Sequence, residues 1–273
     1  MKSLFNWVGG KSRVCKRICS LFPPHTVYVE PYFGAGSVFF HKSPVRVEVL
    51  NDLDKDVYNF YSVLRNKELV SELLDLIEFT PYCRDLYKES SSILDKETSP
   101  VLKAWAFYVR VTQGYGARLK DNHTWCCGPS VSRAKVVIEQ KSRLMEAHHR
   151  LMGAYIENKN ALEVLKAWDT PDTLFYLDPP YSLSKRTQTR LYCTESPDSH
   201  HVDLVDIVRN LKGYVFINGY NTDEYESLGW PKLERNLVSS LATLEFRAEV
   251  PPVEQLLVNP RAYSLIPNLR REL

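Results

Sequence analysis

A strand, a glycine turn and a helix near the N-terminus constrain the fold of this chain more than any other feature. Residues 26–30 are β-branched and aromatic and predict a strand, which runs into a turn carrying Gly34 and Gly36 and then a helix. A second strand is predicted over residues 45–50, ending at Asn51 and Asp52, with a helix over residues 55–64. This alternation is typical of parallel sheets with helices on both faces, so the sequence predicts a doubly wound α/β fold.

The alternation stops between residues 66 and 151, which read mostly as helix with a loop over residues 114–130. Strands are predicted again at 154–157, 173–178 and 214–218, and residues 236–238 and 254–258 predict a closing hairpin. A length of 273 residues suits one catalytic domain with a smaller insert. We therefore predict a catalytic domain of residues 1–65 and 152–273 that carries a helical insert of residues 66–151.

Composition and charge narrow the class of protein. The chain is 44% hydrophobic and 25% charged, which is ordinary for a globular protein, and no apolar run approaches the roughly 20 residues of a membrane span. Six cysteines without a Cys-x-x-Cys pair predict reduced thiols in a cytoplasmic chain with no metal centre. Residues 101–150 hold nine basic and three acidic side chains. This excess suits phosphate binding, and solvated helix faces explain it equally well.

The segment Asp178-Pro179-Pro180-Tyr181 follows directly on a predicted apolar strand. In open parallel sheets ligands bind at the carboxyl ends of the strands, where this segment is expected. The Asp178 carboxylate and the Pro179 carbonyl suit the two N–H groups of an exocyclic base amine, and the prolines make the backbone rigid. Tyr181 suits stacking on the base. The alternative reading is a rigid turn after a buried strand.

The glycine turn of residues 33–37 allows backbone amides at a helix start to approach a ligand closely. A dinucleotide fingerprint requires a third glycine where Phe39 stands, which argues against a nicotinamide cofactor. Glu30 beside the turn suits a cationic ligand, and Asp52 at the end of the next strand suits two ribose hydroxyls.

The N-terminal segment of residues 7–11 is a third candidate. Gly10-Lys11-Ser12 is similar to part of a P-loop, but Phe5 stands where that motif requires glycine and no strand precedes it. Lys11 beside an aromatic residue is better interpreted as one wall of a donor pocket. The alternative is an N-terminal arm packed on the sheet.

Four segments in this order resemble the Dam-type (alpha-group) N6-adenine DNA methyltransferases: residues 7–11, 30–37, 51–52 and 177–181. The resemblance implies a Rossmann-like S-adenosylmethionine-dependent methyltransferase sheet with a helical target-recognition insert. It implies S-adenosylmethionine as the methyl donor and double-stranded DNA as the partner, with the target adenine flipped out of the duplex. A cognate restriction endonuclease is a further partner that such a family allows.

The predicted site residues fall into three groups. The catalytic residues are Asp178, Pro179, Pro180 and Tyr181. The donor-binding residues are Trp7, Lys11, Glu30, Phe33, Gly34, Ala35, Gly36, Ser37, Asp52, Ile156, Asn158 and Asp178. The DNA-binding residues are Arg110, Arg118, Lys120, Arg133, Lys185, Arg186 and Arg190. The histidine pairs at 148–149 and 200–201 are interpreted as ordinary helix residues.

The insert departs from the family pattern. Members that read GATC carry an Asn-Arg-x-Gly-x-Asn-Gly-like segment, and residues 110–118 keep only its glycine rhythm. The resemblance therefore predicts the reaction without the recognition sequence. Two alternatives stay open: an N4-cytosine methyltransferase, which more often has serine in place of Asp178, and a catalytically silent DNA-binding protein.

Overall fold

Seven strands form one sheet in the order β3-β2-β1-β4-β5-β7-β6. The computed structural model describes residues 2–5, 7, 9–115, 125–128, 132–180, 198–220, 223–233 and 254–266. The strands are β1 Val27–Glu30, β2 Val47–Asn51, β3 Tyr155–Glu157, β4 Thr173–Leu177, β5 Tyr214–Tyr220, β6 Lys232–Leu233 and β7 Glu254–Val258. β1 to β5 are parallel, while β7 lies antiparallel between β5 and β6. The predicted doubly wound α/β fold is confirmed.

Twelve helices lie within the described residues. Before the third strand they are α1 Cys15–Ser20, α2 Ser37–His41, α3 Lys55–Arg65, α4 Val70–Glu78, α5 Arg84–Lys96, α6 Pro100–Gln113, α7 Arg133–Lys141 and α8 Leu144–Leu151. After it they are α9 Ala161–Ala167, α10 Asp198–Val208, α11 Asp223–Glu226 and α12 Pro260–Tyr263.

Alternating side chains of the central strands build two hydrophobic clusters, one on each face of the sheet. Tyr28 and Tyr176 belong to the cluster that contains residues of α1 to α6, α8 and α12. Val29 and Phe175 belong to the cluster formed with α9, α10 and α11. Because strand side chains point alternately to opposite faces, a central strand buried on both sides is apolar along its whole length.

Several helices begin where the sequence supplies a capping side chain. Asp54 precedes α3 and accepts a hydrogen bond from the Asp56 backbone N–H at 2.8 Å. Ser99 precedes α6, accepts from the Leu102 N–H, and is followed by Pro100 in the first turn. Such caps satisfy N–H groups that have no partner within the helix, and proline is tolerated at that position.

The helices between residues 66 and 151 pack directly on the layer that covers the sheet. α6 is buried along most of its length between α3 and α5, and α8 packs against α3. Phe60 of α3 meets Phe5 and Phe107 with ring centroids 5.6 and 5.4 Å apart. These residues belong to the same hydrophobic cluster as Tyr28 of the sheet. The division into a catalytic domain and an insert stays a prediction.

One of the two strands of the predicted closing hairpin falls within the described residues. β7 occupies the predicted residues 254–258, and its described neighbours are β5 and the two-residue β6 at 232–233. The predicted partner, residues 236–238, lies outside the described residues. Across the described ranges, none of the helices combines the length and apolar character that a bilayer crossing requires.

Candidate active site

A cavity of ≈ 310 Å³ lies at the carboxyl ends of β1, β2 and β4. Most of its wall comes from four segments, namely residues 9–11, 30–38, 52–54 and 178–180, together with Trp7 and Tyr176. The remaining wall comes from the starts of α9 and α10, where residues 160–162, 199, 200 and 203 contribute. These four segments, each of which contains residues singled out in the sequence, thus meet at one edge of the sheet, where open α/β sheets bind ligands.

Lys11 and Asp178 form an ion pair in this cavity. The Lys11 Nζ lies 2.9 Å from both carboxylate oxygens of Asp178, and Lys11 also donates to the Gly9 carbonyl. The Lys11 side chain is 3% exposed and that of Asp178 is 22% exposed. Asn218, at the end of β5, contributes its Nδ2 at 3.4 Å from Asp178 Oδ1. The carboxylate is therefore held on two sides and still partly open to the cavity.

The glycine turn after β1 places backbone against the aromatic wall of the cavity. Gly34 has φ of +46° and Gly36 has φ of +61°, both in the left-handed region that favours glycine. A Cβ atom on Gly34 would lie 2.8 Å from the Trp7 ring, and one on Gly36 would overlap the Phe33 ring. Both glycines are needed for this close approach.

Asp52 is tied to the glycine turn. Its carboxylate accepts hydrogen bonds from the Gly34 N–H at 2.8 Å and the Asp54 N–H at 2.9 Å. Burial raises the pKa of Asp52 to about 7, although the two N–H donors oppose the change. Asn158 holds the backbone here, because its Nδ2 donates to the Asp52 carbonyl at 2.7 Å.

Ile156 and Asn158 were predicted to contact the donor, and neither is among the described residues that line the cavity. Asn158 instead supports the backbone of Asp52, and Ile156 packs against the hydrophobic cluster of the sheet. The wall at this end is built by residues 160–162, at the start of α9. The contact of Ile156 and Asn158 with a donor stays a prediction.

Glu30 is a buried acid in the cavity wall, with only 2% of its surface exposed. The Tyr28 hydroxyl donates to Glu30 Oε2 at 2.7 Å. Burial raises the pKa of Glu30 to about 8, with the Asp178 charge adding to the increase and the Tyr28 hydrogen bond opposing it. A cationic group entering the cavity would favour the ionised form of this acid.

Three contributors to the site were not identified from sequence: His200, residues 160–162 and Asn218. His200 lines the cavity, and its Nε2 lies 2.7 Å from the Tyr32 hydroxyl. Burial lowers the pKa of His200. Their positions depend on α9 and α10 beginning beside the cavity and on β5 pairing with β4, and no local motif signals either arrangement. The interpretation of His200 as an ordinary helix residue missed its position in the wall.

The predicted DNA-binding residues differ in burial, and several lie outside the described residues. Arg110 is fully buried among the helices of residues 66–151, which we call the helical region. Its Nη1 donates to the Tyr87 carbonyl at 3.1 Å, and its guanidinium lies 4.1 Å from the Tyr87 ring centre. A side chain without exposed surface does not reach a phosphate, so the prediction of a direct DNA contact is wrong for Arg110. Arg133 is partly exposed in the first turn of α7. The remaining predicted DNA-binding residues lie outside the described residues, namely Arg118, Lys120, Lys185, Arg186 and Arg190. The catalytic candidate Tyr181 lies outside them as well.

No group of three or more His, Cys, Asp or Glu side chains is arranged to hold a metal ion among the described residues. The described cysteines are free thiols.

The sheet order, the glycine turn and the acidic ends of β1, β2 and β4 together define the class of protein. These features are typical of the Rossmann-like fold of S-adenosylmethionine-dependent methyltransferases.

The chain belongs to the D12 class N6 adenine-specific DNA methyltransferase family, whose model matches residues 7–240. It is 24% identical over 198 residues to a DNA adenine methylase of Escherichia coli K12, covering 71% of this chain and 70% of the relative. A DNA adenine methylase of Salmonella typhi is 24% identical over 214 residues, covering 77% and 76%. A DNA N-6-adenine-methyltransferase of Escherichia phage P1 is 35% identical over 66 residues, covering 24% of this chain and 9% of the relative. The protein is thus an adenine-specific DNA methyltransferase, which sets aside the N4-cytosine alternative.

Proposed function

We propose that this chain transfers a methyl group from S-adenosylmethionine to the N6 amine of an adenine flipped out of duplex DNA, and that Asp178 orients the amine. The observation that carries the proposal is the position of the Asp178 carboxylate. It is partly exposed in the cavity, fixed by Lys11 and Asn218, and next to the rigid Pro179-Pro180 backbone.

The cavity suits the proposed donor. S-adenosylmethionine supplies a methyl group on a positively charged sulfur, beside an amino acid part and a ribose. Acidic side chains line the cavity, from Glu30, Asp52, Asp54, Asp178 and Asp203, and they favour a ligand with positive charge and hydroxyl groups. Gly34 packs so closely against Trp7 in the cavity wall that a Cβ atom would clash with the ring. Trp7, Lys11 and Asp52 are the residues we expect to hold the donor.

The chain's own groups orient the adenine amine that receives the methyl group. An adenine N6 amine is a poor nucleophile because its lone pair is delocalised into the ring. One N–H of this amine is accepted by the Asp178 carboxylate and the other by the Pro179 carbonyl, which leaves the lone pair free to attack. Acceptors held in place before the reaction need no reorganisation during it. Tyr181 stays the predicted stacking partner of the flipped base.

The DNA partner places further demands on the chain. We propose that residues 66–151 form the target-recognition insert, with Arg133, Arg118 and Lys120 near the backbone and Lys185, Arg186 and Arg190 near the flipped nucleotide. Cationic side chains that contact the DNA backbone neutralise phosphates and release counterions. A DNA substrate also supports the expected cytoplasmic location, and a cognate restriction endonuclease remains part of the proposal.

The decisive experiment replaces Asp178 by Ala and by Asn. We expect Asp178→Ala to lower kcat/KM for methylation of DNA by at least ~10³-fold, because the amine loses a preorganised acceptor. Asp178→Asn keeps one acceptor oxygen and should retain more activity than the alanine variant. Donor binding, measured by calorimetry, should weaken by no more than about tenfold, which corresponds to 1.4 kcal/mol.

The matched control is Asp206→Ala, which removes the same charge from an exposed position of α10 away from the cavity wall. It should methylate DNA at the rate of the unmodified protein. Full methylation by the folded Asp178→Ala protein would remove Asp178 from the proposed mechanism.

A further inference from the structure

The helical region has an exposed aromatic and basic corner that the catalytic cavity does not use. The corner comprises Tyr82 and Arg84 at the start of α5, Gln113 at the end of α6, Trp125 between α6 and α7, and Arg133 at the start of α7. We call this set the Trp125 corner.

Gln113 builds the Trp125 corner from inside, with only 2% of its surface exposed. Its side-chain oxygen accepts from the Cys83 N–H at 3.1 Å and from Trp125 Nε1 at 3.3 Å, and its Nε2 donates to the Pro81 carbonyl at 3.1 Å. Its backbone carbonyl accepts from the Cys126 N–H at 2.8 Å. One buried amide therefore joins the chain before α5 to the segment that carries Trp125.

Arg84 stacks on the Trp125 ring, which Gln113 holds in place by a hydrogen bond. Its guanidinium carbon is 4.8 Å from the Trp125 ring centre, and its side chain is exposed. Its only described hydrogen bond is a long one, from Nη2 to Cys127 Sγ at 3.9 Å. No carboxylate among the described residues pairs with it. The cation is thus aligned by stacking while its N–H donors remain available.

The charges around Arg84 favour an anion. Arg84 and Asp85 both lie in the first turn of α5, whose N-terminal end carries partial positive charge. Arg133 lies close enough to the Tyr82 hydroxyl to oppose the increase in its pKa, which burial raises to about 12. Two arginines therefore approach the corner from different helices. Asp85 is the one acid of the described residues in that first turn.

We propose that Arg84, stacked on Trp125, binds a backbone phosphate of duplex DNA. This inference rests on the proposed function, because it supposes that the helical region faces the DNA. A planar guanidinium already restricted by stacking loses little conformational freedom when it bonds a phosphate oxygen. Arg84 then takes the role predicted for Arg110, whose side chain is buried.

The test is the salt dependence of binding to a short duplex of random sequence. Each phosphate contact contributes about 0.9 to the slope of log K against log salt concentration. Arg84→Gln should lower the slope by about this amount and weaken binding severalfold at moderate salt. Arg84→Lys keeps the charge and should keep the slope, while binding more weakly than the unmodified protein because it loses the stacked, forked geometry.

Lys96→Gln is the matched control, since Lys96 is an exposed cation in the last turn of the same helix. It lies about 18 Å along the axis from Arg84, taking 1.5 Å per residue. Its slope should equal that of the unmodified protein. Unfolding temperature and donor binding should be unchanged in all three variants.

An unchanged slope for Arg84→Gln, with an unmodified protein that binds and methylates DNA, would overturn this inference and leave the proposed function standing. A loss of affinity for one DNA sequence alone, at constant slope, would also overturn it, in favour of a base contact. Failure of the unmodified protein to bind DNA or to methylate it would count against the proposed function itself.

Discussion

Two positively charged side chains in two regions of the molecule meet opposite surroundings. Lys11, in the cavity at the strand ends, is 3% exposed and lies 2.9 Å from both oxygens of Asp178. Arg84, in the Trp125 corner, is exposed and stacks on an indole ring without a described carboxylate partner. Lys11 is neutralised by the protein itself, whereas Arg84 keeps its charge available to something outside.

The difference teaches how each region uses charge. A buried charge is stable only when it is paired and hydrogen-bonded, so Lys11 serves to position the carboxylate beside it. An exposed, unpaired cation contributes little to folding and much to attracting a polyanion. Arg110 shows that position within the helical region does not decide this role, since it is buried against Tyr87.

The largest expected effect concerns that buried arginine. Arg110→Ala should lower the free energy of unfolding by about 3 kcal/mol or more, because it opens a cavity and removes the stacking on Tyr87 together with one hydrogen bond to the Tyr87 carbonyl. Urea denaturation measures the change. The salt slope of DNA binding, taken at a temperature where the variant is folded, should be that of the unmodified protein. A stable variant with a smaller slope would reverse the assignment of Arg110 to the interior.

The second prediction concerns a substitution in the cavity wall. Gly34→Ala should cost about 2 kcal/mol of stability, because a non-glycine residue at φ of +46° is strained and its Cβ would lie 2.8 Å from the Trp7 ring. Displacing Trp7 should also weaken donor binding by at least about tenfold, or 1.4 kcal/mol, measured by calorimetry. Gly153→Ala is the control, since a Cβ there has no atom within 4 Å. Equal donor affinity in the two variants would contradict the assigned wall.

The third prediction uses the pH dependence of stability. Glu30 has its pKa raised from 4.5 to about 8 in the folded state. Between these values the folded state keeps a proton that the unfolded state has lost. Stability should therefore fall as pH rises through this window, by at most about 1.4 kcal/mol per pH unit. Below it the Glu30 contribution is constant.

Glu30→Gln removes that titration. The variant should gain stability relative to the unmodified protein as pH rises from 4.5 to about 8. Urea denaturation at several pH values measures the difference. Parallel pH profiles for the two proteins would show that Glu30 is ionised in the folded state at neutral pH.

The smallest effect is expected at Arg133. Arg133→Gln should change the free energy of unfolding by less than about 0.5 kcal/mol, because the side chain is partly exposed and makes no described ion pair. If Arg133 acts with Arg84, the salt slope should fall by up to about 0.9. Thermal unfolding and a salt titration measure the two quantities. A large loss of stability with no change in slope would assign Arg133 to packing.

Much of the cavity could be predicted because its parts are local. A strand followed by a glycine turn, an acid at the end of the next strand, and Asp178-Pro179-Pro180 after a third strand are each visible within a few residues. Since parallel strands bring their carboxyl ends to one edge, their convergence follows from the strand pattern. All three line one cavity, to which the N-terminal segment adds Lys11 beside Asp178.

The helical region was less predictable, because a charge in a helix does not reveal which way its side chain faces when both faces are covered. Arg110 lies within α6, a largely apolar helix buried between two others, and the direction of its side chain depends on α3 and α5. Residues 160–162 and His200 enter the cavity wall for a similar reason, since their helices begin beside the glycine turn.

The sequence by itself determined the α/β class, the order of the chemical segments and the family, because these depend on local patterns and on the geometry of parallel strands. The tertiary structure alone decided which cations are buried and which are available, since burial depends on neighbours distant in the chain. Tertiary packing brings Gln113 into hydrogen-bonding contact with Trp125 and Cys83, stacks Arg84 on the Trp125 ring, and buries Arg110. Packing between remote segments therefore decides the role of each charge.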